Sequence, residues 1–157
     1  MWETETSIEV QATQEAVYER QADLRQHKEW SVGVEQIEQT TGDGIEVGAE
    51  FKAVETVPAR FTSYSRITRL ERHGMIEWRS WDGRMMEVDW TFELSAGPHD
   101  GTRVVQRARF RPTNLMGQIV VRVMRRRANT PRENAESLQR FKAAIEPQES
   151  PTLSRAV

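Results

Sequence analysis

The apolar period of this chain changes near Pro112, and that change fixes its fold class. From Trp2 to Val10 the even positions read Trp, Thr, Thr, Ile, Val, while Glu3, Glu5, Ser7 and Glu9 hold the odd ones. Alternation of period two marks a strand with one wet face. After Pro112, Leu115, Ile119 and Val123 form one i, i+4 ladder and Met116, Val120 and Met124 a second, the spacing of an amphipathic helix. Between them, Gly33, Gly42, Gly44, Gly48, Pro58, Gly74, Gly83, Gly97 with Pro98, and Gly101 cut the chain into strand-length runs. Six further strands are predicted, at about 34 to 41, 48 to 57, 60 to 71, 75 to 82, 85 to 95 and 101 to 111, with Asp82-Gly83 as a hairpin turn. Thr13 and Asp23 are expected to cap two short helices after the first strand, the second running towards Trp30. The pattern is α+β.

The C-terminal helix spans Asn114 to Ala128 by this reading, and Asn129-Thr130-Pro131-Arg132-Glu133 carries a second set of helix-start signals. Either the helix kinks there or a new one begins. Leu138, Phe141 and Ile145 continue the stripe to Glu146, and Pro147, Ser150, Pro151 and Ser154 predict a flexible tail. A chain of 157 residues fits one domain, placed at residues 1–146, with 147–157 as the tail.

Composition narrows the function classes. Hydrophobic residues at 37% exclude intrinsic disorder. The apolar stretch Ile119 to Met124 is broken by Arg122 and falls far short of the roughly 20 residues that cross a bilayer. Acids near the N-terminus, with no apolar run behind them, do not make a signal peptide, so a cytoplasmic location is expected. With no cysteine and with His27, His73 and His99 scattered, no disulfide, metal site or cofactor is expected.

The net charge of -2 hides an asymmetry. Residues 101–157 carry +8 and the first hundred -10. A nucleic-acid surface would produce this, and so would a basic strand lying between acidic ones. Arg125, Arg126 and Arg127 read as the basic last turn of a helix, where cations oppose the negative end of its dipole.

Strand, two short helices, six strands and a long helix is also the order of the helix-grip fold, and the residues resemble it. Ile8-Glu9-Val10 leading to Ala16-Val17-Tyr18, Asp23, Trp30, Val47-Gly48-Ala49-Glu50-Phe51, Arg66-Ile67-Thr68-Arg69-Leu70-Glu71, Gly101-Thr102-Arg103-Val104 and Leu138 to Glu146 resemble the polyketide cyclase/dehydratase-like branch of the START-related SRPBCC superfamily. The resemblance covers about residues 3 to 146. It implies a seven-stranded curved antiparallel sheet wrapping the C-terminal helix, with a cavity between them, and it sets the last strand between the sixth and the first. Arg103, Arg107, Arg109 and Arg111 then lie between outward acids, including Glu87, Asp89 and Glu93. That arrangement makes the basic strand structural and argues against a nucleic-acid partner.

Strand parity assigns the candidate site. If Phe51, Ala53 and Val57 face the cavity, Glu55 does too. Burial raises a carboxylate pKa towards the range useful for acid/base chemistry; a salt bridge or a local bulge would make Glu55 structural instead. Gln106 shares parity with Val104, Ala108 and Phe110 and serves either a ligand or a core backbone group. Ser63 and Ser65 leave room for a ligand, and no base is in sight to make either a nucleophile. Trp30, Phe51, Trp78, Trp90 and Phe110, with Ile119 and Val123 from the helix, are expected to form apolar walls, as ligand contacts or as core. His27 reads as an exposed helix residue, and outward Trp81 as a candidate homodimer patch or a strand-edge cover. The resemblance implies that a hydrophobic, aromatic or polyketide-like molecule is bound in the cavity. The alternative is a polyketide cyclase or dehydratase acting on such a ligand.

Overall fold

In the computed structural model, which describes residues 1–57, 59–127 and 129–146, seven strands form one antiparallel sheet of order β1-β7-β6-β5-β4-β3-β2. They run β1 Trp2–Val10, β2 Val34–Thr41, β3 Glu50–Glu55, β4 Phe61–Glu71, β5 Met75–Trp81, β6 Met86–Ala96 and β7 Thr102–Pro112. β3 covers Glu50–Glu55 of the expected 48 to 57, and beyond its ends Gly48 N–H donates to the Ile67 carbonyl and Thr56 N–H to that of Gly33. Asp82 turns β5 into β6 as expected: its Oδ1 accepts the backbone N–H groups of Arg84, Met85 and Met86 at 2.8, 2.9 and 3.1 Å. Gly83 supplies the positive φ, 76°, that the turn requires.

Helix α1, Gln14–Ala22, starts where Thr13 accepts the Ala16 N–H, satisfying one of the donors that a helix start leaves free. Asp23 then accepts the Arg25 N–H and opens a 3₁₀ helix, Leu24–Glu29. At the other end of the chain lie α2, Leu115–Arg127, and α3, Asn129–Ile145. The expected segment Asn129-Thr130-Pro131-Arg132-Glu133 forms the first described residues of α3. Thr130 and Pro131 are the second and third described residues of α3. Residue 128, between α2 and α3, and the tail 147–157 lie outside the described residues.

The main core lies between the concave sheet face, α1, the 3₁₀ helix and α3. Val10, Val17, Leu24, Phe51, Ile67, Ile76, Val104 and Phe141 are its largest fully buried apolar side chains, and each full burial contributes roughly 1.5–3 kcal/mol. A second, smaller cluster of Ala108, Phe110 and Val121 lies under α2, flanked by Trp2, Met86, Val88 and Met124. On the other face, β7 does lie between acidic neighbours. Arg107 bonds Glu5 at 2.9 Å and Glu93 at 2.7 Å, Arg109 bonds Glu3 at 2.6 Å, and Arg111 bonds Asp89 at 2.9 Å. Trp81 is outward as expected and stacks on Tyr64, directly opposite it on β4, with ring centroids 6.0 Å apart.

Candidate functional site

Parity carries Glu55 to the inner face at the end of β3, and it lines a cavity of about 120 Å³ between the sheet, the 3₁₀ helix and α3. The sheet register builds the walls. Trp78 on β5 lies opposite Trp90 on β6, and their rings stack with centroids 6.1 Å apart. Phe92 stacks on Trp78 at 5.2 Å. Trp30 closes the side away from the sheet, edge-on to Phe141 of α3 at 5.0 Å. Arg20 lies over the Trp30 ring at 5.3 Å and bonds Glu29, and it is not among the cavity-lining residues.

Polar side chains flank this aromatic row. Ser65 and Ser80 are cross-strand partners whose hydroxyls lie 2.7 Å apart. Ser63, two residues along β4, lines the cavity with Glu55. Burial raises the Glu55 carboxyl above its ordinary range, the Ser63 hydroxyl opposing it. Gln106 faces in from β7, 5% exposed, and its Oε1 has no partner. Gln21 of α1 is fully buried, and neither its Oε1 nor its Nε2 has a partner. An unpaired buried polar group costs roughly 1–3 kcal/mol, so this lining needs an occupant or water. No lysine or arginine lines the cavity among the described residues.

Of the residues expected at the site, Trp30, Glu55, Ser65, Trp78, Trp90 and Gln106 come together around this cavity. Four do not. Phe51 is packed into the main core and Phe110 into the cluster under α2, where it stacks on Trp2 at 5.0 Å. Ile119 and Val123 are 48% and 43% exposed and point away from the sheet. Of the apolar faces that α2 offers, the one that docks is marked by its smallest residue. Gly117 packs against the Met85 carbonyl, so Gly117 and Val121 are buried and the Leu115-Ile119-Val123 ladder is left outward.

His27 corrects a further expectation. It is buried, not exposed, and lines the cavity. In a 3₁₀ helix residues i and i+3 eclipse, so Leu24 and His27 share one buried face, with Trp30 following at the same spacing. A ring nitrogen, Nε2, lies 2.7 Å from the Gln21 carbonyl oxygen and must donate to it, which leaves Nδ1 as the acceptor of the neutral ring. Burial pulls the imidazole pKa down to about 4, against the opposing Gln21 bond and Asp23 charge. The three-residue spacing Leu24, His27, Trp30 was the available signal. Gln21 had one too, four residues after Val17 on the buried face of α1.

The family model described as polyketide cyclase/dehydrase and lipid transport matches residues 1–146. No curated protein matches the chain. Among solved structures it is similar to an aromatase/cyclase from a Streptomyces species, at 14% identity over 91% of this chain and 95% of that one, with a TM-score of 0.68. It is similar to a START superfamily protein from Mycobacterium smegmatis, at 11% identity over 91% and 96%, with a TM-score of 0.69. The major latex-like protein 151 of Panax ginseng aligns at 6% identity over 93% and 98%, again with a TM-score of 0.69. At such identities the likeness is one of fold.

Proposed function

Because the chain belongs to the polyketide cyclase/dehydrase and lipid transport family, we propose that it binds a small aromatic molecule in the cavity between the sheet and α3. The observation that carries this reading is the cavity's make-up: three tryptophans, Trp30, Trp78 and Trp90, share the lining with polar groups, two of which have unpaired atoms. Large aromatics with a few placed polar groups are the usual lining of a small-molecule site. Native mass spectrometry of the protein from its own cell extract should show a bound organic mass. Trp90→Ala should weaken that complex by about tenfold or more, about 1.4 kcal/mol, with the variant's thermal unfolding as the control for folding. Retention of the ligand by a folded Trp90→Ala protein would count against the site.

A cyclase or dehydratase reading rests on Glu55, the one carboxyl among the described lining residues, whose pKa burial raises towards the range useful for proton transfer. General acid/base assistance is worth about 10² to 10⁴-fold. Glu55→Gln is therefore expected to lower turnover of a bound substrate by about that factor while leaving its affinity nearly unchanged. Equal turnover in the two proteins would reduce Glu55 to a lining residue.

A further inference from the structure

The cavity's polar lining narrows the class of occupant. Resting on the proposed binding site, we infer that its ligand is an uncharged, single-ring molecule bearing a carboxamide or an equivalent paired donor and acceptor, held by the side-chain amides of Gln21 and Gln106.

Three observations converge on this. Gln21 carries a buried, unpaired acceptor, Oε1, and a buried, unpaired donor, Nε2, so the assignment of the two ends does not matter. Gln106 adds a second unpaired acceptor. A ligand carboxamide answers this set, its N–H groups donating to the two oxygens and its carbonyl accepting from Gln21. Charge is selected against on one side, since no lysine or arginine lines the cavity among the described residues, burial disfavours the cationic form of His27, and an anion would lose its hydration with little in return. A cation would have only Glu55, the single acidic side chain among the described lining residues, and burial there disfavours its charged form. Size completes the argument. At about 120 Å³ the cavity is well below the roughly 300–1,000 Å³ of sites for drug-sized ligands, so a fused polycycle does not fit and one ring does. Water can occupy such a polar space, and the ligand's amide replaces the bonds that water would make.

Calorimetric titration with four planar molecules of one size tests this: benzamide, benzoate, benzamidine and α-methylstyrene, which are neutral and polar, anionic, cationic and apolar in turn. Benzamide should bind at least tenfold more tightly than the other three. Gln21→Met and Gln106→Met should each weaken benzamide by about tenfold and leave α-methylstyrene unchanged or tighter, with thermal unfolding confirming that each variant is folded. If α-methylstyrene equals benzamide, the occupant is apolar and the inference fails; if benzoate or benzamidine wins, the charge argument fails. If none binds, the inference fails as well, and native mass spectrometry then separates the cases. A Trp90-dependent endogenous ligand would leave the binding site standing without this occupant, whereas no bound mass would remove both.

Discussion

His27 and Glu55 face one cavity, and burial disfavours the charged form of each in the folded protein. Their effects on stability have opposite signs. The His27 pKa is about 4 when folded and about 6.5 when unfolded. Between those values the unfolded chain takes up a proton that the folded one refuses, so the stability present above pH 6.5 is lost as pH falls towards 4, by up to about 3 kcal/mol. His27→Gln, which can still donate to the Gln21 carbonyl, should flatten the decline in urea-unfolding free energy across that window; parallel curves would contradict the burial argument. For Glu55 the raised folded pKa means that the folded state holds a proton more tightly, so its contribution falls as pH rises through the folded value. Glu55→Gln should therefore be more stable than the parent protein at pH 8, with the gain gone by about pH 4.

Helix α2 shows how little apolar periodicity says about which face docks. Asn114 caps it by accepting the Gly117 N–H at 2.9 Å while donating to the Arg84 carbonyl at 3.0 Å, and Thr113 N–H reaches the Met85 carbonyl at 2.9 Å. These bonds clamp the helix start onto the β5–β6 turn. A Cβ at position 117 would collide with the Met85 carbonyl oxygen. Gly117→Ala, which in a free helix gains about 1 kcal/mol, should here cost about 1–3 kcal/mol. Val121→Ala removes buried methyl groups and should cost about 1–3 kcal/mol, whereas Ile119→Ser should fall within about 0.5 kcal/mol of the parent protein. Chemical denaturation of the three variants checks the set, and a costly Ile119→Ser would mean that the ladder is covered after all.

At the scale of the whole molecule, the acidic and basic parts of the chain neutralise each other across β1, β7 and β6. Every pair in that ladder is partly exposed, so each contributes about 0.2–1 kcal/mol and salt screens it. Arg107→Ala, which removes two pairs, should cost no more than about 1 kcal/mol at low salt. That difference should shrink at molar NaCl, with ligand affinity untouched because Arg107 lies on the face away from the cavity. A loss of ligand binding in Arg107→Ala would show that the outer ladder shapes the inner site. Among the described residues no helix is long and apolar enough to cross a membrane.

Local chemistry determined much of this protein. Alternation gave the seven strands and the inward facing of Glu55, Ser65, Trp78, Trp90 and Gln106, because a strand has only two faces and one apolar residue fixes the phase of its neighbours. Thr13 and Asp23 marked their caps because the carboxyl or hydroxyl that satisfies a free backbone N–H lies within the same few residues. What the tertiary structure decided depends on partners distant in sequence. Outward Ile119 and Val123 follow from a glycine meeting a carbonyl thirty-two residues earlier. Phe51 and Phe110 have the expected phase, yet depth along the sheet places one in the core and the other under α2. His27 needed the tighter 3₁₀ pitch to bring it inward. The cavity itself is a difference between packed surfaces, set by how closely α3 approaches the sheet, and no single stretch of sequence carries that distance.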